Sequence, residues 1–369
     1  MEPTVTFITT RPEPTPTPEP NAATPEPAVE LRSVSRGFGE VKALDDLTLT
    51  APAHSITVLL GPNGAGKTTA IRMITGALDP DSGEVRVFGL DPSIDGEEVR
   101  TRCGVVSAKP ALYDRLSGWD NLGYAAELYG LGRGDVAAAA IRESAARFGI
   151  EDALDQQVGG YSTGMKTRLA LARSVMHGPE LLLFDEPTSG LDPESSHAVL
   201  ELIRAMADTG STVVMCTHLL LEAEGLAEQV VVLDGGTDLI AGSPDELTRQ
   251  FWPDLVVRLD AEDPAGLDRL AGFDGVLSYE RDDRGLAASG SGTGRATVQL
   301  DDLARVPELV FALAAAGVRV TRVEPHLPTL EDLYFAVRDD RRAFSEQGHG
   351  ATRSRADGSD PRDDREVAA

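Results

Sequence analysis

Gly61-Pro62-Asn63-Gly64-Ala65-Gly66-Lys67-Thr68-Thr69 decides the reading of this 369-residue chain. The stretch fits the pattern G-x-x-x-x-G-K-[ST] of a phosphate-binding loop, and its flanks suit that role. The apolar run Ser55 to Leu60 ahead of it predicts a buried strand, and Thr68 to Ala77 predicts a helix. Glycines let the backbone curl so that several N–H groups converge on one anion at the positive end of the following helix. Lys67 then reaches the β- and γ-phosphates, and the Thr68 hydroxyl can ligate Mg²⁺. All nine residues are therefore assigned to nucleotide binding.

The loop alone does not choose among kinases, GTPases and transport ATPases, and the segments that follow narrow the field. Val105-Val106 and Leu181-Leu-Leu-Phe184 are short unbroken apolar runs, which predicts buried parallel strands. Asp185 and Glu186 end the second run. Asp185 is placed to hold Mg²⁺, and Glu186 to orient or deprotonate an attacking water. Adjacent acids at the end of such a strand need a reason, because an unpaired buried charge is costly. Upstream, Tyr161-Ser162-Thr163-Gly164-Met165 precedes the helix-forming run Lys166 to Arg173, and a serine and a glycine there make a second anion cradle. Its place in the chain bars it from serving the same face as the first. Ser189-Gly-Leu-Asp192 follows, then the strand Thr212 to Cys216 and the pair Thr217-His218.

This order of motifs resembles the ATP-binding subunit of an ABC transporter over residues 29–250. The resemblance makes 61–69 the Walker A loop, 161–165 the signature, 181–186 the Walker B strand, 189–192 the D-loop and His218 the switch histidine. It implies ATP and Mg²⁺ as cofactors, with Thr68 and Asp185 on the metal and Glu186, His218 and Asp192 in the catalytic group. Ser162 and Gly164 would contact the γ-phosphate even though the signature departs from Leu-Ser-Gly-Gly-Gln at three positions. His218 has a second reading, a histidine satisfied at a strand end. Phe38 has two readings as well: the family's adenine-stacking aromatic, or an aromatic packed in a core short of such residues. A further departure follows the strand at Cys103 to Val106, where relatives carry Gln or Glu. Here Ala108 stands beside Lys109. Either this site holds its metal loosely, or the loop is shifted and another group takes over.

Composition agrees. Hydrophobic residues make up 41% of the chain, enough for a core, and no window of 18 apolar residues or secretion signal is present. Transport would therefore need a separate integral membrane permease subunit, with this chain on the cytoplasmic face of the cell membrane. A formal charge of −26 argues against a nucleic-acid partner, whose phosphates need Lys and Arg. Only four of the 34 basic residues are lysine, which points to a GC-rich genome; the acidity points to a salt-adapted host. Cys103 and Cys216 fall in or beside strands, far from metal-ligand spacing, and read as reduced buried thiols.

Residues 1–28 carry eight prolines and read as a disordered Pro/Thr-rich tail; 340–369 reads as a disordered charged tail. The expected fold class is α/β: a P-loop NTPase cassette with a mixed sheet core and a helical subdomain over about 112–175, followed by a small α+β unit at 254–338. In that unit the order β-α-β-β-α-β is ferredoxin-like, with helices over Pro264–Ala271 and Val306–Ala315 and a Gly/Ser-rich hairpin loop over 284–295. Its end, Pro328-Thr-Leu-Glu-Asp-Leu-Tyr-Phe335, resembles the end of the accessory domain in ABC-2 type drug- and antibiotic-exporting ATPases. The resemblance implies a homodimer that sandwiches two ATP molecules and powers an exporter. A non-transport ABC ATPase, or a regulatory cassette that hydrolyses ATP slowly, is the alternative.

Overall fold

The computed structural model describes residues 27–252, 255–282, 294–326 and 328–338. The expected tails and the 284–295 loop lie outside these residues except at their inner margins, and two margins are corrections. Strand β1 begins at Pro27, with Ala28 fully buried, so residues 27 and 28, expected in the tail, belong to a strand. Gly294 and Arg295 already belong to a strand.

The chain opens with β1 (Pro27–Phe38), β2 (Val41–Pro52) and β3 (Ile56–Leu60), then α1 (Lys67–Ile74), β4 (Ser82–Val87), α2 (Gly96–Thr101) and β5 (Cys103–Val106). Helices α3 (Gly118–Leu128), α4 (Asp135–Arg147) and α5 (Thr163–Val175) follow, then β6 (Leu181–Asp185), α6 (Pro193–Asp208), β7 (Thr212–Thr217), α7 (Leu220–Glu224), β8 (Gln229–Asp234), β9 (Thr237–Gly242) and α8 (Pro244–Phe251). Helix α1 starts one residue before the expected Thr68 and stops three short of Ala77, closing at Thr75 and the left-handed Gly76.

Two sheets build this part. One is antiparallel, in the order β2-β1-β4; the other runs β5-β6-β7-β3-β8-β9, parallel except for the β8–β9 hairpin. Parallel strands covered on both faces need apolar side chains in both directions, and the central strands supply them. Val213 and Met215 of β7 face one buried cluster, while Val214 and Cys216 face the other; Leu182 and Phe184 of β6 alternate with Leu181 and Leu183 in the same way. The first cluster packs against the helical side, including α3 to α6. The second packs under α1 and the antiparallel sheet. Parallel strands share one direction, so the loops after β3, β6 and β7 leave from the same edge. That edge carries the motifs.

Strands β10 (Leu255–Ala261), β11 (Val276–Asp282), β12 (Gly294–Leu300) and β13 (Val320–His326) form a separate antiparallel sheet in the order β11-β12-β10-β13. Its apolar face is closed by α9 (Val306–Ala315) and by a 3-10 helix, Pro264–Gly272, in place of the α-helix expected there. The expected 254–338 unit needs one more correction. A last helix, α10, spans 330–338, and its Leu330, Leu333, Tyr334 and Val337 belong to the large cluster with Leu247, not to the cluster beneath the accessory sheet. Thr329 caps α10 by accepting from the Asp332 amide (3.2 Å), while the Thr329 amide donates back to the Asp332 carboxylate (2.9 Å). The Pro-Thr-Leu-Glu-Asp-Leu-Tyr segment thus anchors the accessory sheet's exit to the cassette core.

Candidate nucleotide site

The loop from Gly61 to Thr69 leaves β3 and enters α1 as a ring of amides. Among the described residues, the one backbone amide of 63–69 that finds a protein acceptor is Ala65, which donates to the Pro62 carbonyl at 3.2 Å. Gly64 and Gly66 take φ of +85° and +104°, conformations that favour glycine. A side chain at Gly66 would run into Leu44 and the Ala43 carbonyl of β2; one at Gly61 would run into the Leu233 carbonyl of β8. Close packing on both sides fixes the ring, and its unpaired amides fit an oligophosphate.

Lys67 is buried, and a buried ammonium must be paired. Its Nζ donates to the carbonyls of Gly61 (2.6 Å) and Pro62 (3.1 Å) and lies 3.6 Å from Glu186 Oε1. His218 Nδ1 donates to the same carboxylate oxygen at 3.2 Å. The Thr68 hydroxyl donates to Asp185 Oδ2 at 2.7 Å. Loops after three parallel strands therefore bring Lys67, Glu186 and His218 into one group, with Thr68 and Asp185 beside it. Glu186 itself has a φ of +52°, a left-handed conformation costing about 1–3 kcal/mol for a residue with a side chain. Its amide donates to the Cys216 carbonyl at 2.9 Å, and its carbonyl accepts from Ser189 at 3.1 Å, which helps to hold it there.

Two hard oxygen donors, the Thr68 hydroxyl and the Asp185 carboxylate, suit a divalent cation that keeps part of its water shell. They line a cavity of about 620 Å³ together with Ser107 and Ala108. Ala108 thus sits on the rim expected to carry an oxygen ligand and offers none. The Ser107 hydroxyl beside it donates to the Lys109 carbonyl at 2.9 Å.

Other expected site residues lie elsewhere. Ser162 is the exposed N-cap of α5, accepting from the Met165 amide at 3.2 Å, and Gly164 lies close to Ser195 of α6. Asp192, expected in the catalytic group, caps α6 by accepting from the Ser195 amide (2.9 Å) and hydroxyl (2.7 Å). Those bonds hold its carboxyl below its ordinary value. Among the described residues no hydrogen bond or ion pair joins Asp192, Ser162 or Gly164 to Lys67, Glu186 or His218. Phe38 ends β1 opposite Val41 with 47% of its surface exposed, which corrects the reading of it as a core aromatic. The Arg36 guanidinium stands 5.3 Å from its ring centre. His218 follows the end of β7, and the partner that its ring finds there is Glu186.

Sequence reasoning missed the β8–β9 turn. The Gly236 amide donates to the Ala65 carbonyl at 3.2 Å and its carbonyl accepts from Asp45 at 2.8 Å, so this turn braces the phosphate loop. The paired glycines at 235 and 236 after an apolar strand were the available signal.

A strand, a phosphate loop and a helix, joined at one sheet edge by an Asp-Glu pair and a histidine, define a P-loop ATPase of the cassette type. The ABC transporter family model matches residues 44–189. The daunorubicin/doxorubicin resistance ATP-binding protein DrrA of Streptomyces peucetius is 37% identical over 319 residues, covering 85% of this chain and 93% of that protein. A Nod factor export ATP-binding protein of Rhizobium etli is 33% identical over 246 residues, covering 66% and 77%. Among solved structures, cbiO1 of Clostridium perfringens, described as part of the ABC transporter complex cbiONQ, superposes with a TM-score of 0.55 at 26% identity, over 60% of this chain and 90% of that one. The chain belongs to the ATP-binding, ATP-hydrolysing subunits of ABC transporters. Among the described residues no helix is long and apolar enough to cross a membrane. Subunits of this family work with membrane permease components.

Proposed function

We propose that this chain powers export through a separate ABC-2 type permease by closing as a homodimer around two ATP molecules, on the cytoplasmic face of the membrane. The observation that carries this reading is the group Lys67–Glu186–His218 beside an amide ring in which, among residues 63–69, Ala65 alone has a protein acceptor. The amides and the Lys67 ammonium receive the β- and γ-phosphates, and the exposed Phe38 face takes the adenine. Glu186 orients the attacking water and accepts its proton, with its carboxylate steadied by His218. Thr68 and Asp185 would hold Mg²⁺, which supplies charge neutralisation for the phosphates. The relative named as a Nod factor export protein, and the one named for drug resistance, support the direction of transport.

A second copy supplies what one chain lacks. Ser162 caps α5 and Gly164 lies in its first turn, with no bond to the Lys67 group, so their contact with a γ-phosphate is assigned to the opposite chain. Asp192, at the start of α6 beside Gly164, belongs to that same face. The helical region from α3 to α5 is the surface for the permease. The accessory sheet, with its own apolar cluster, is assigned as a ferredoxin-like unit that tunes dimer stability or coupling. One observation favours the slower-turnover alternative: Ala108 gives the metal cavity no side-chain oxygen.

Glu186→Gln tests the chemistry. The variant is expected to bind ATP with wild-type affinity, to run as an ATP-dependent dimer in size exclusion, and to lose steady-state hydrolysis by roughly 10³-fold or more. Hydrolysis at the wild-type rate would show that Glu186 is not the base.

A further inference from the structure

We infer that Glu222 is a positioning residue for ATP hydrolysis, its carboxylate clamping the loop that carries Glu186 to the loop that carries His218. The inference rests on the roles of Glu186 and His218 proposed above. Glu222 Oε2 accepts from the Thr188 hydroxyl at 2.8 Å and from the Thr217 hydroxyl at 3.2 Å. Thr188 stands two residues after Glu186, on the loop leaving β6. Thr217 ends β7 and immediately precedes His218. The Thr217 oxygen also accepts from the Leu219 amide at 3.0 Å, which fixes the turn on the far side of the histidine.

Burial makes the clamp consequential. Thr188 and Thr217 are 4% and 1% exposed, so neither hydroxyl can turn to water when its acceptor is removed. Hydrogen bonds to a charged acceptor are also the stronger kind. The geometry Glu222 protects is the one chemistry needs. Glu186 is held in a left-handed conformation that its sequence does not favour, and a strained residue persists where its surroundings over-determine it. One restraint is the Glu186 amide on Cys216 of β7. The second is Thr188–Glu222–Thr217, which reaches β7 again from the other end of the turn. Without it the two loops relax independently, and the 3.2 Å contact between His218 and Glu186 loses its guide. Glu222 itself touches neither member of that pair in these bonds, so its effect is indirect.

The test measures ATP affinity and steady-state hydrolysis on the full chain. Glu222→Ala is expected to lower kcat by roughly 10- to 100-fold, the range that a misplacement of about 1 Å produces, with ATP affinity within about twofold of wild type. Glu222→Gln keeps a carbonyl oxygen that accepts from both threonines, and is expected to stay within about threefold of wild-type kcat. Thr188→Val, which removes one leg, should lower kcat alone and add nothing in the Glu222→Ala background. Retained ATP affinity shows that each variant is folded. The inference is overturned by wild-type turnover in Glu222→Ala, by a glutamine variant as slow as the alanine one, or by a loss confined to ATP affinity. Glu186→Gln, run in parallel, separates the two ideas: if it hydrolyses ATP normally the base assignment fails, whereas if it is inactive and Glu222→Ala is not, the clamp alone fails.

Discussion

At the N-terminus of α1, Gly66 is left-handed and no side chain caps the helix, whereas at the N-terminus of α5 the Ser162 hydroxyl caps the Met165 amide. Both ends were expected to bind phosphate, yet they are built in opposite ways. The first is packed between β2 and the β8–β9 turn, keeps a buried lysine at its back and leaves all but one of its amides (Ala65) without protein acceptors. The second is exposed and partly satisfied by its own serine, and the lysine in its first turn, Lys166, is turned to Asp114 at 2.8 Å. A helix end that meets its own needs adds little affinity by itself and can serve as a late contact. One that cannot meet them is poised for a ligand. On the proposed function, this contrast would let one cassette hold ATP alone and still need a second for chemistry.

The strongest way to break this comparison is Ser162→Ala. If the two ends act on one ATP from different chains, the variant should bind ATP as the wild type does, yet lose roughly 10²-fold in kcat together with its ATP-dependent dimer, the usual loss for one transition-state donor. Equal losses in the ATP affinity of the isolated monomer, read by fluorescent-nucleotide titration, would put both ends in one site. A smaller effect sharpens the account of the first end. Ala108→Gln returns an oxygen to the cavity of Thr68 and Asp185, and is expected to raise kcat by up to roughly 10-fold and to lower the Mg²⁺ concentration required. If neither moves in a metal titration of the ATPase rate, Ser107 or the backbone already supplies that contact.

The smallest effect concerns the dry sheet beneath the first end. Burial pushes the Cys103 thiol up to about 12 and the Cys216 thiol well above its ordinary value. Folding therefore disfavours the thiolates. Their contribution to stability is intact below about pH 9 and declines as pH rises from there toward 12, because only the unfolded chain loses those protons. At pH 8 both thiols should resist iodoacetamide in the native protein and react on denaturation, as counted by mass spectrometry. Rapid native labelling of Cys216 would mean that water reaches the β7 end under Glu186.

Much of the cassette could be read locally. The phosphate loop declares itself through glycine spacing, because an amide ring is made by consecutive residues. The central strands declare themselves as unbroken apolar runs, because a sheet buried on both faces permits little else. Asp185 and Glu186 were legible for the converse reason, as charges where a strand should have none. The accessory unit was less so. Its first helix is a 3-10 helix around Gly266, whose missing side chain lets Val318 approach, a contact between residues 52 positions apart.

What no local pattern carries is which loops meet. Phe38 could have been core or surface until the β1–β2 hairpin left it exposed. The partner of His218 was undefined until β7 lay next to β6 and its ring reached Glu186. The motif ending in Tyr334 looks like the close of the accessory unit, yet its leucines are buried with the cassette. Glu222 reads as one of two acids on a short helix, and only its two buried threonine partners distinguish it. Dihedral preferences and hydrophobic period act over a few residues and so are written in order along the chain. Strand order, and the side-chain contacts it creates, follow from burying two apolar faces at once, and that requirement is met only when the whole sheet has assembled.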